Sequence, residues 1–177
     1  MVNLCYAKSI FMDTTKTDFK ITSKLLEENY SDKTKAILLS NPCNPTGNVL
    51  TLEEMEVIAD FVEKRDIFLI ADEIYSELSF YNFYSFSSFE KIKDKVIIIN
   101  GFSKSHSMTG WRIGYTIFPL EYRRYFLNTT LYTLSSPMAL SIAAAEIALE
   151  KFEDRKELMN IYKKRAVYMK DALTELG

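Results

Sequence analysis

At 177 residues, the chain is long enough to form one ordinary domain with a sizeable hydrophobic core. Its formal net charge is -2, which gives no reason to expect nucleic acid or an anionic membrane as a partner. Two cysteines and one histidine exclude a disulfide framework and a multi-histidine metal site, so we expect a cytoplasmic protein without a bound metal.

The amino-terminal part predicts a strand over Asn3–Met12 and a short helix over Ser23–Tyr30. Three short apolar runs follow along the chain: Lys35–Ser40, Ile67–Ala71 and Val96–Asn100. Aliphatic and aromatic side chains that do not alternate with polar ones are typical of strands buried on both faces of a parallel sheet. We therefore interpret the three runs as parallel strands.

A helix is predicted between the first two strands, because Thr51 and Glu54 form a capping-box signature. Apolar residues then recur at helical spacing: Leu52, Met55, Ile58, Ala59 and Val62. A strand, a helix and a strand in this order predict a right-handed parallel crossover.

Further along the chain we expect a fourth strand over Arg112–Phe118 and helices over Met138–Lys151 and Asp154–Leu176. The pattern as a whole indicates an α/β fold, with three layers (α/β/α) around a mostly parallel sheet.

Each of the three apolar runs ends in polar residues. The first is followed by NPCNPTG (41–47), the second by DEIY (72–75), and the third by GFSK (101–104) with GWR (110–112) close behind. Because ligands of parallel sheets bind beyond the carboxyl ends of the strands, we expect a site where these segments meet. Its candidate residues are Asn44, Asp72, Tyr75, Lys104 and Arg112.

Taken singly, these residues have ordinary structural explanations. A loop rich in proline and glycine is often only a rigid turn, an aspartate often caps a strand end, and a tyrosine often lines the rim of a core. A lone lysine or arginine is usually a solvated surface charge. The joint placement of the five residues at successive strand ends is what favours a functional site.

Three segments, NPCNPTG, ADEIYSEL and NGFSKSHSMTGWRIGY, closely match, in order and spacing, signature segments of the class I/II aminotransferases, which are fold-type I pyridoxal-phosphate enzymes. The resemblance is strongest from about Thr34 to Phe118. It implies pyridoxal 5'-phosphate as cofactor. It also implies transfer of an amino group between an L-amino acid of the aspartate or aromatic type and a 2-oxo acid.

The resemblance also assigns roles to individual residues. Lys104 is implied to form the Schiff base with the cofactor and then to move a proton during the reaction. Asp72 is implied to pair with the pyridinium nitrogen. Tyr75 and Asn44 are implied to donate hydrogen bonds to the ring oxygen, and Asn44 also to contact the substrate carboxylate.

For the cofactor's phosphate, the resemblance implies Arg112 as a ligand and Ser103 as a second one. The chain departs from many relatives at Gly101, where they carry a serine. We expect His106 and Ser107 to lie on a loop or first helical turn near the phosphate without acting chemically.

The resemblance further implies that residues 1–177 are a partial cofactor-binding large domain: its C-terminal two-thirds and the connecting helix. The small domain and the N-terminal part would be absent, so we expect this chain alone to be incomplete. We expect a homo-oligomer, most simply a dimer. The alternatives are a pyridoxal-phosphate-dependent carbon–sulfur lyase on the same scaffold and a non-catalytic, cofactor-binding sensor or fragment.

Overall fold

A computed structural model of the chain describes residues 2–150 and 152–177. Within these residues, a four-stranded sheet is built from β1 (Ala36–Ser40), β2 (Phe68–Asp72), β3 (Val96–Gly101) and β4 (Gly114–Ile117), in that spatial order. The first three strands are parallel neighbours, and β4 runs antiparallel to β3. This mostly parallel sheet in a mixed α/β fold confirms the predicted fold class.

The described residues form five α-helices: α1 (Ser23–Glu28), α2 (Leu52–Glu63), α3 (Arg123–Thr133), α4 (Ala139–Glu150) and α5 (Phe152–Leu176). Short 3-10 helices cover Val2–Cys5, Thr15–Thr17, Ser76–Leu78, Phe86–Ser88, Glu90–Lys95, Thr109–Trp111 and Leu120–Tyr122. The four predicted helices are therefore confirmed, although Lys151, the predicted end of one of them, lies outside the described residues. None of the helices described here has the length and apolar character needed to cross a membrane.

The predicted strand over Asn3–Met12 is wrong. Val2–Cys5 forms a 3-10 turn, and Tyr6 then takes a left-handed φ of 55°, which interrupts any extended run. The apolar side chains of Ile10 and Phe11 are exposed, so the segment has no sheet face on which to bury them. An extended segment forms a strand only when a neighbouring strand takes up its backbone hydrogen bonds, and here none does within the described sheet.

One face of the sheet is covered by α2 and by the turns that precede β3. Alternate strand residues point into this core: Ile37, Leu69, Ala71, Val96 and Ile98. They meet the buried apolar side of α2, formed by Met55, Ile58, Ala59 and Val62, together with Phe86 and Ile92. The core therefore holds in place the carboxyl ends of β1, β2 and β3, where the loops that follow these strands begin.

The opposite face is covered only in part by the described residues. Tyr122 packs edge-on against Phe68 of β2, with 5.1 Å between the ring centroids. Leu38 of β1, however, is 62% exposed, and Ile99 of β3 is also exposed. The apolar runs predicted burial on both faces, and this part of the prediction does not hold. The sequence of an apolar strand does not reveal which other part of the protein will cover each of its faces.

The start of α2 provides a test of local helix stability. Thr51 accepts a hydrogen bond from the Glu54 amide (3.3 Å), and the Glu54 carboxylate accepts one from the Thr51 amide (2.8 Å). We expect Thr51→Ala to lower the free energy of unfolding by about 1 kcal/mol, because it leaves a helix amide without its cap. Urea unfolding followed by circular dichroism measures this change. Thr51→Ser keeps the hydroxyl and should be near wild type, whereas equal losses in both variants would contradict the capping role.

Candidate functional site

The carboxyl ends of β1, β2 and β3 lie at the same level of the sheet. Ser40 is the register partner of Asp72, and Asp72 is the register partner of Ile99. Two backbone hydrogen bonds extend this alignment past the strands: the Asn41 amide donates to the Asp72 carbonyl (3.0 Å), and the Glu73 amide donates to the Ile99 carbonyl (2.8 Å). The three polar segments therefore start side by side, as the parallel-neighbour prediction requires.

The loop after β1 is closed by its own hydrogen bonds. The Asn41 side chain is buried, and its carbonyl oxygen accepts from the Leu50 amide at 2.9 Å. The Gly47 amide donates to the Cys43 carbonyl at 2.8 Å, and Gly47 adopts a φ of 71°, a conformation that favours glycine. This closure leaves Asn44 exposed at the tip of the loop, on the side of Tyr75.

Asn44, Tyr75 and Lys104 come together at this end of the sheet. The Asn44 amide nitrogen donates to the Tyr75 hydroxyl oxygen at 3.1 Å. The Lys104 ammonium nitrogen lies 5.8 Å from the centroid of the Tyr75 ring, within the range of a cation–π contact. These residues form the Asn44–Tyr75–Lys104 cluster, which draws one side chain from each of the three polar segments.

Asp72 is the last residue of β2 and is half-buried. One oxygen of its carboxylate accepts a hydrogen bond from the Ile74 amide at 3.1 Å. This side-chain turn bends the chain sharply after the strand, so that Tyr75 returns towards the sheet end. The other carboxylate oxygen is not used by this turn.

Lys104 lies on a tight turn that follows β3. The amides of His106 and Met108 both donate to the Phe102 carbonyl, at 3.1 Å and 3.3 Å. Phe102 and Met108 are buried against Ala145 of α4. This packing anchors the turn on α4. Ser103 and Lys104 are half-buried on this anchored turn.

Gly101 is explained by the close approach of β4. A Cβ atom at residue 101 would lie 2.8 Å from the Cα of Gly114, its partner in the β3–β4 register. A serine at this position would require the two backbones to separate. The departure from the pattern is therefore a packing feature of this sheet.

Arg112 occupies a turn, although its position was predicted to begin a strand. Its φ is 50°, and β4 begins two residues later at Gly114. One guanidinium nitrogen donates to the Thr109 carbonyl at 2.9 Å, and the side chain is exposed. The hydrogen bond thus ties Arg112 to its own turn and not to the Asn44–Tyr75–Lys104 cluster.

Glu73 was not singled out from the sequence, yet its carboxylate is almost fully buried, at 2% exposure. One of its oxygens accepts from the Phe86 amide at 2.9 Å. Burial raises the pKa of Glu73, and hydrogen bonds from the Phe86 amide and the Ser85 side chain oppose this effect only in part. Strand alternation could have revealed this position, because a residue next to Asp72 must point to the opposite face.

Comparisons with known proteins show which family the chain resembles. The family model for aminotransferases of class I and II matches residues 1–177. The chain is 40% identical to a Bacillus subtilis (strain 168) protein named "Probable N-acetyl-LL-diaminopimelate aminotransferase", over 100% of this chain and 45% of that protein. It is 39% identical to an aspartate aminotransferase of Bacillus sp. (strain YM-2), over 82% of this chain and 38% of that protein.

Two solved structures are similar throughout the chain. An aromatic aminotransferase from Pyrococcus horikoshii OT3 aligns with a TM-score of 0.89 and 32% identity, over 97% of this chain and 48% of that one. A mutant aspartate aminotransferase from Thermus thermophilus aligns with a TM-score of 0.91 and 26% identity, over 99% of this chain and 50% of that one. The chain thus spans about half the length of the relatives it matches.

The buried carboxyl of Glu73 predicts a pH dependence of stability. A carboxyl whose pKa is raised on folding stabilises the fold below the ordinary value of 4.5, and this contribution is lost as the pH rises through the folded-state pKa. Glu73→Gln keeps an oxygen for the Phe86 amide and does not ionise. We expect wild type to lose stability relative to this variant as the pH is raised from about 4 to 7. Urea unfolding across that range measures the difference, and a pH-independent difference would refute the prediction. Glu63→Gln, exposed at the last residue of α2, is the control.

Proposed function

This chain belongs to the class I and II aminotransferases, and we propose that it provides the cofactor-binding lysine of an amino-acid aminotransferase that uses pyridoxal 5'-phosphate. The proposed reaction moves an amino group between an L-amino acid, of the aspartate or aromatic type, and a 2-oxo acid. The observation that supports it most directly is the Asn44–Tyr75–Lys104 cluster at the carboxyl ends of three parallel strands. Pyridoxal phosphate, when bound, supplies an electron sink for the negative charge that develops at the substrate Cα.

Lys104 is the proposed Schiff-base residue. Its amine would hold the cofactor covalently through the aldehyde carbon, with loss of one water molecule. Once the substrate amine had taken its place, the freed Lys104 amine would accept the proton of the substrate Cα and return it. The anchored turn supports this role, because it holds the lysine within 5.8 Å of the Tyr75 ring centroid.

Asp72, Tyr75 and Asn44 are proposed to hold the cofactor ring. The carboxylate of Asp72 would pair with the protonated ring nitrogen, and a protonated ring is the better electron sink. Because the Asn44 amide already donates to the Tyr75 oxygen, the proton of the Tyr75 hydroxyl remains available for the ring oxygen. Asn44 is also proposed to contact the substrate carboxylate.

Arg112 and Ser103 are the proposed phosphate ligands. A guanidinium has five N–H donors, and the hydrogen bond to the Thr109 carbonyl uses one of them. The remaining donors form a planar fork that suits two phosphate oxygens. Ser103 adds a hydroxyl one residue before Lys104, so both proposed ligands belong to the segment that carries the lysine.

We further propose that residues 1–177 are part of a larger cofactor-binding domain in a cytoplasmic protein. The curated relatives described above are named as aminotransferases, which favours transamination over carbon–sulfur cleavage or cofactor sensing. Their names include both aspartate and N-acetyl-LL-diaminopimelate substrates, so the choice of amino donor requires a direct assay.

The first test is chemical labelling of the lysine. The chain is mixed with pyridoxal phosphate and reduced with borohydride, and the modified residue is located by peptide mass spectrometry. We expect stoichiometric labelling at Lys104, reduced roughly tenfold to a hundredfold in Asp72→Ala and Arg112→Ala, because each removes a contact to a charged group. Lys33→Ala, at the opposite end of the sheet, should change nothing. Labelling scattered over surface lysines would show that these residues do not form a cofactor site.

Substrate choice is tested with the protein that contains this chain. L-Aspartate, L-phenylalanine and N-acetyl-LL-diaminopimelate are each supplied with a 2-oxo acid acceptor, and new amino acid is measured by chromatography. The proposal expects amino transfer from at least one donor, and its loss in Lys104→Ala. Release of sulfide from L-cysteine without amino transfer would instead support the lyase alternative.

Self-association is the expected state of the chain. Several large apolar side chains are exposed on α3 and α4: Leu127, Leu131, Leu140 and Ile147. A surface of this kind gains free energy when a second protein surface covers it, roughly 25 cal/mol per Å² of apolar area. We therefore expect a homo-oligomer, most simply a dimer, in analytical ultracentrifugation. Leu131→Lys should weaken it, and a monodisperse wild-type monomer at high protein concentration would contradict it.

A further inference from the structure

The residues that follow Lys104 form a second hydrogen-bonded unit. Ser105 is buried, at 4% exposure, and its hydroxyl oxygen lies 3.1 Å from the Gly101 carbonyl oxygen. The same hydroxyl oxygen lies 2.8 Å from Nδ1 of His106. We call residues 101–106 the lysine-bearing turn. Ser105 links Gly101 to His106, and Lys104 lies between these two residues.

One arrangement of the protons satisfies both contacts of the Ser105 hydroxyl. A carbonyl oxygen can only accept, so in the hydrogen bond with Gly101 the Ser105 hydroxyl donates its single proton. The lone pairs of that hydroxyl then face the imidazole, and Nδ1 of His106 must supply the proton of the second hydrogen bond. The chain of donors therefore runs from His106 to Ser105 and from Ser105 to Gly101.

We propose that Ser105 and His106 are positioning residues for Lys104, acting through a hydrogen-bond chain that also fixes neutral His106 as the Nδ1–H tautomer. These two hydrogen bonds link Gly101 to His106 through Ser105. They therefore restrict the direction in which the Lys104 side chain leaves the backbone. The value of this chain of hydrogen bonds for catalysis rests on the proposed Schiff-base function of Lys104, whereas the tautomer is inferred from the two hydrogen bonds of Ser105 and needs no cofactor.

The surrounding rings hold the imidazole in place for this contact. The Phe102 ring centroid lies 5.2 Å from that of His106, and the Phe102 ring also packs against Tyr115 of β4 at 6.0 Å. Phe102 itself belongs to the small core with Met108 and Ala145. The imidazole is therefore oriented by packing against the Phe102 ring and by a hydrogen bond at Nδ1.

The tautomer is directly measurable because His106 is the single histidine of the chain. Long-range proton–nitrogen correlation spectra of the ¹⁵N-histidine-labelled chain, recorded at alkaline pH where imidazoles are neutral, distinguish the two ring nitrogens. In water, neutral imidazoles of histidine favour the Nε2–H form. We expect Nδ1–H in wild type and a return towards Nε2–H in Ser105→Ala. Nε2–H in wild type would overturn the proposal.

Two substitutions at His106 separate the hydrogen bond from ring packing. His106→Asn places an amide N–H near the position of Nδ1, whereas His106→Phe keeps a ring beside Phe102 but has no donor. We expect amide hydrogen exchange over residues 102–107 to be roughly three- to tenfold faster in His106→Phe than in His106→Asn, as for the loss of one hydrogen bond. Equal exchange in the two variants would overturn the positioning role.

Labelling with pyridoxal phosphate and borohydride measures how Ser105 and His106 affect the reactivity of Lys104. We expect the ratio of modification at Lys104 to that at Lys33 to fall roughly three- to tenfold in Ser105→Ala and His106→Phe and to be kept in His106→Asn. A ratio that follows only the melting temperature of each variant would indicate a merely structural role and overturn the proposal. Because the tautomer and exchange measurements use no cofactor, failure of cofactor binding would count against the proposed function alone.

Discussion

Two backbone hydrogen bonds at the end of the sheet set the geometry on which the candidate site depends. One joins the Asn41 amide to the Asp72 carbonyl, and the other joins the Glu73 amide to the Ile99 carbonyl. Because they continue the parallel register past the strands, the loops after β1, β2 and β3 begin at one level. Side chains that are far apart in the sequence, such as Asn44 and Tyr75, can then reach each other without a long or irregular connection.

The same register separates two neighbouring carboxylates. Successive strand residues face opposite sides of a sheet, so Asp72 stays near the site whereas Glu73 enters the core. There the Glu73 carboxylate holds the Phe86 amide and connects the end of β2 to the core turn over Phe86–Ser88. Burial of this acidic group opposes folding, and its hydrogen bonds offset part of that cost. One strand end therefore serves both a polar site and the packing beneath it.

Local patterns predicted the parts of the fold in which neighbouring residues determine the structure. The capping box of Thr51 and the apolar spacing behind it are contained within one helix, and both are found as predicted. The apolar runs of β1, β2 and β3 were located to within one residue, which is inside the usual uncertainty of element boundaries.

The errors concern properties that depend on distant residues. Nothing between Asn3 and Met12 shows whether a neighbouring strand will accept its hydrogen bonds, and the extended reading therefore failed. Arg112 takes a left-handed turn because the chain must reverse before β4 pairs antiparallel with β3. The close contact of Gly101 with Gly114, and the hydrogen bond from Ser105 back to Gly101, also depend on the folded backbone.

The candidate site rests on two separate cores, and this division explains how its parts are supported. The core under α2 supports the segments that carry Asn44, Asp72 and Tyr75. The turn with Lys104 is instead held by α4, through Ala145 against Phe102 and Met108. The Ser141 hydroxyl of α4 also donates to the Trp111 carbonyl at 2.8 Å, directly before Arg112.

The sheet connects these two supports, since β3 belongs to both. Its buried residues Val96 and Ile98 face α2, and its last residue, Gly101, leads into the turn packed on α4. A change that displaces α4 should therefore move Lys104 and Arg112 together and leave Asn44 hydrogen-bonded to Tyr75. The residues proposed to form the Schiff base and bind the phosphate depend on one helix, whereas those proposed to hold the ring depend on another.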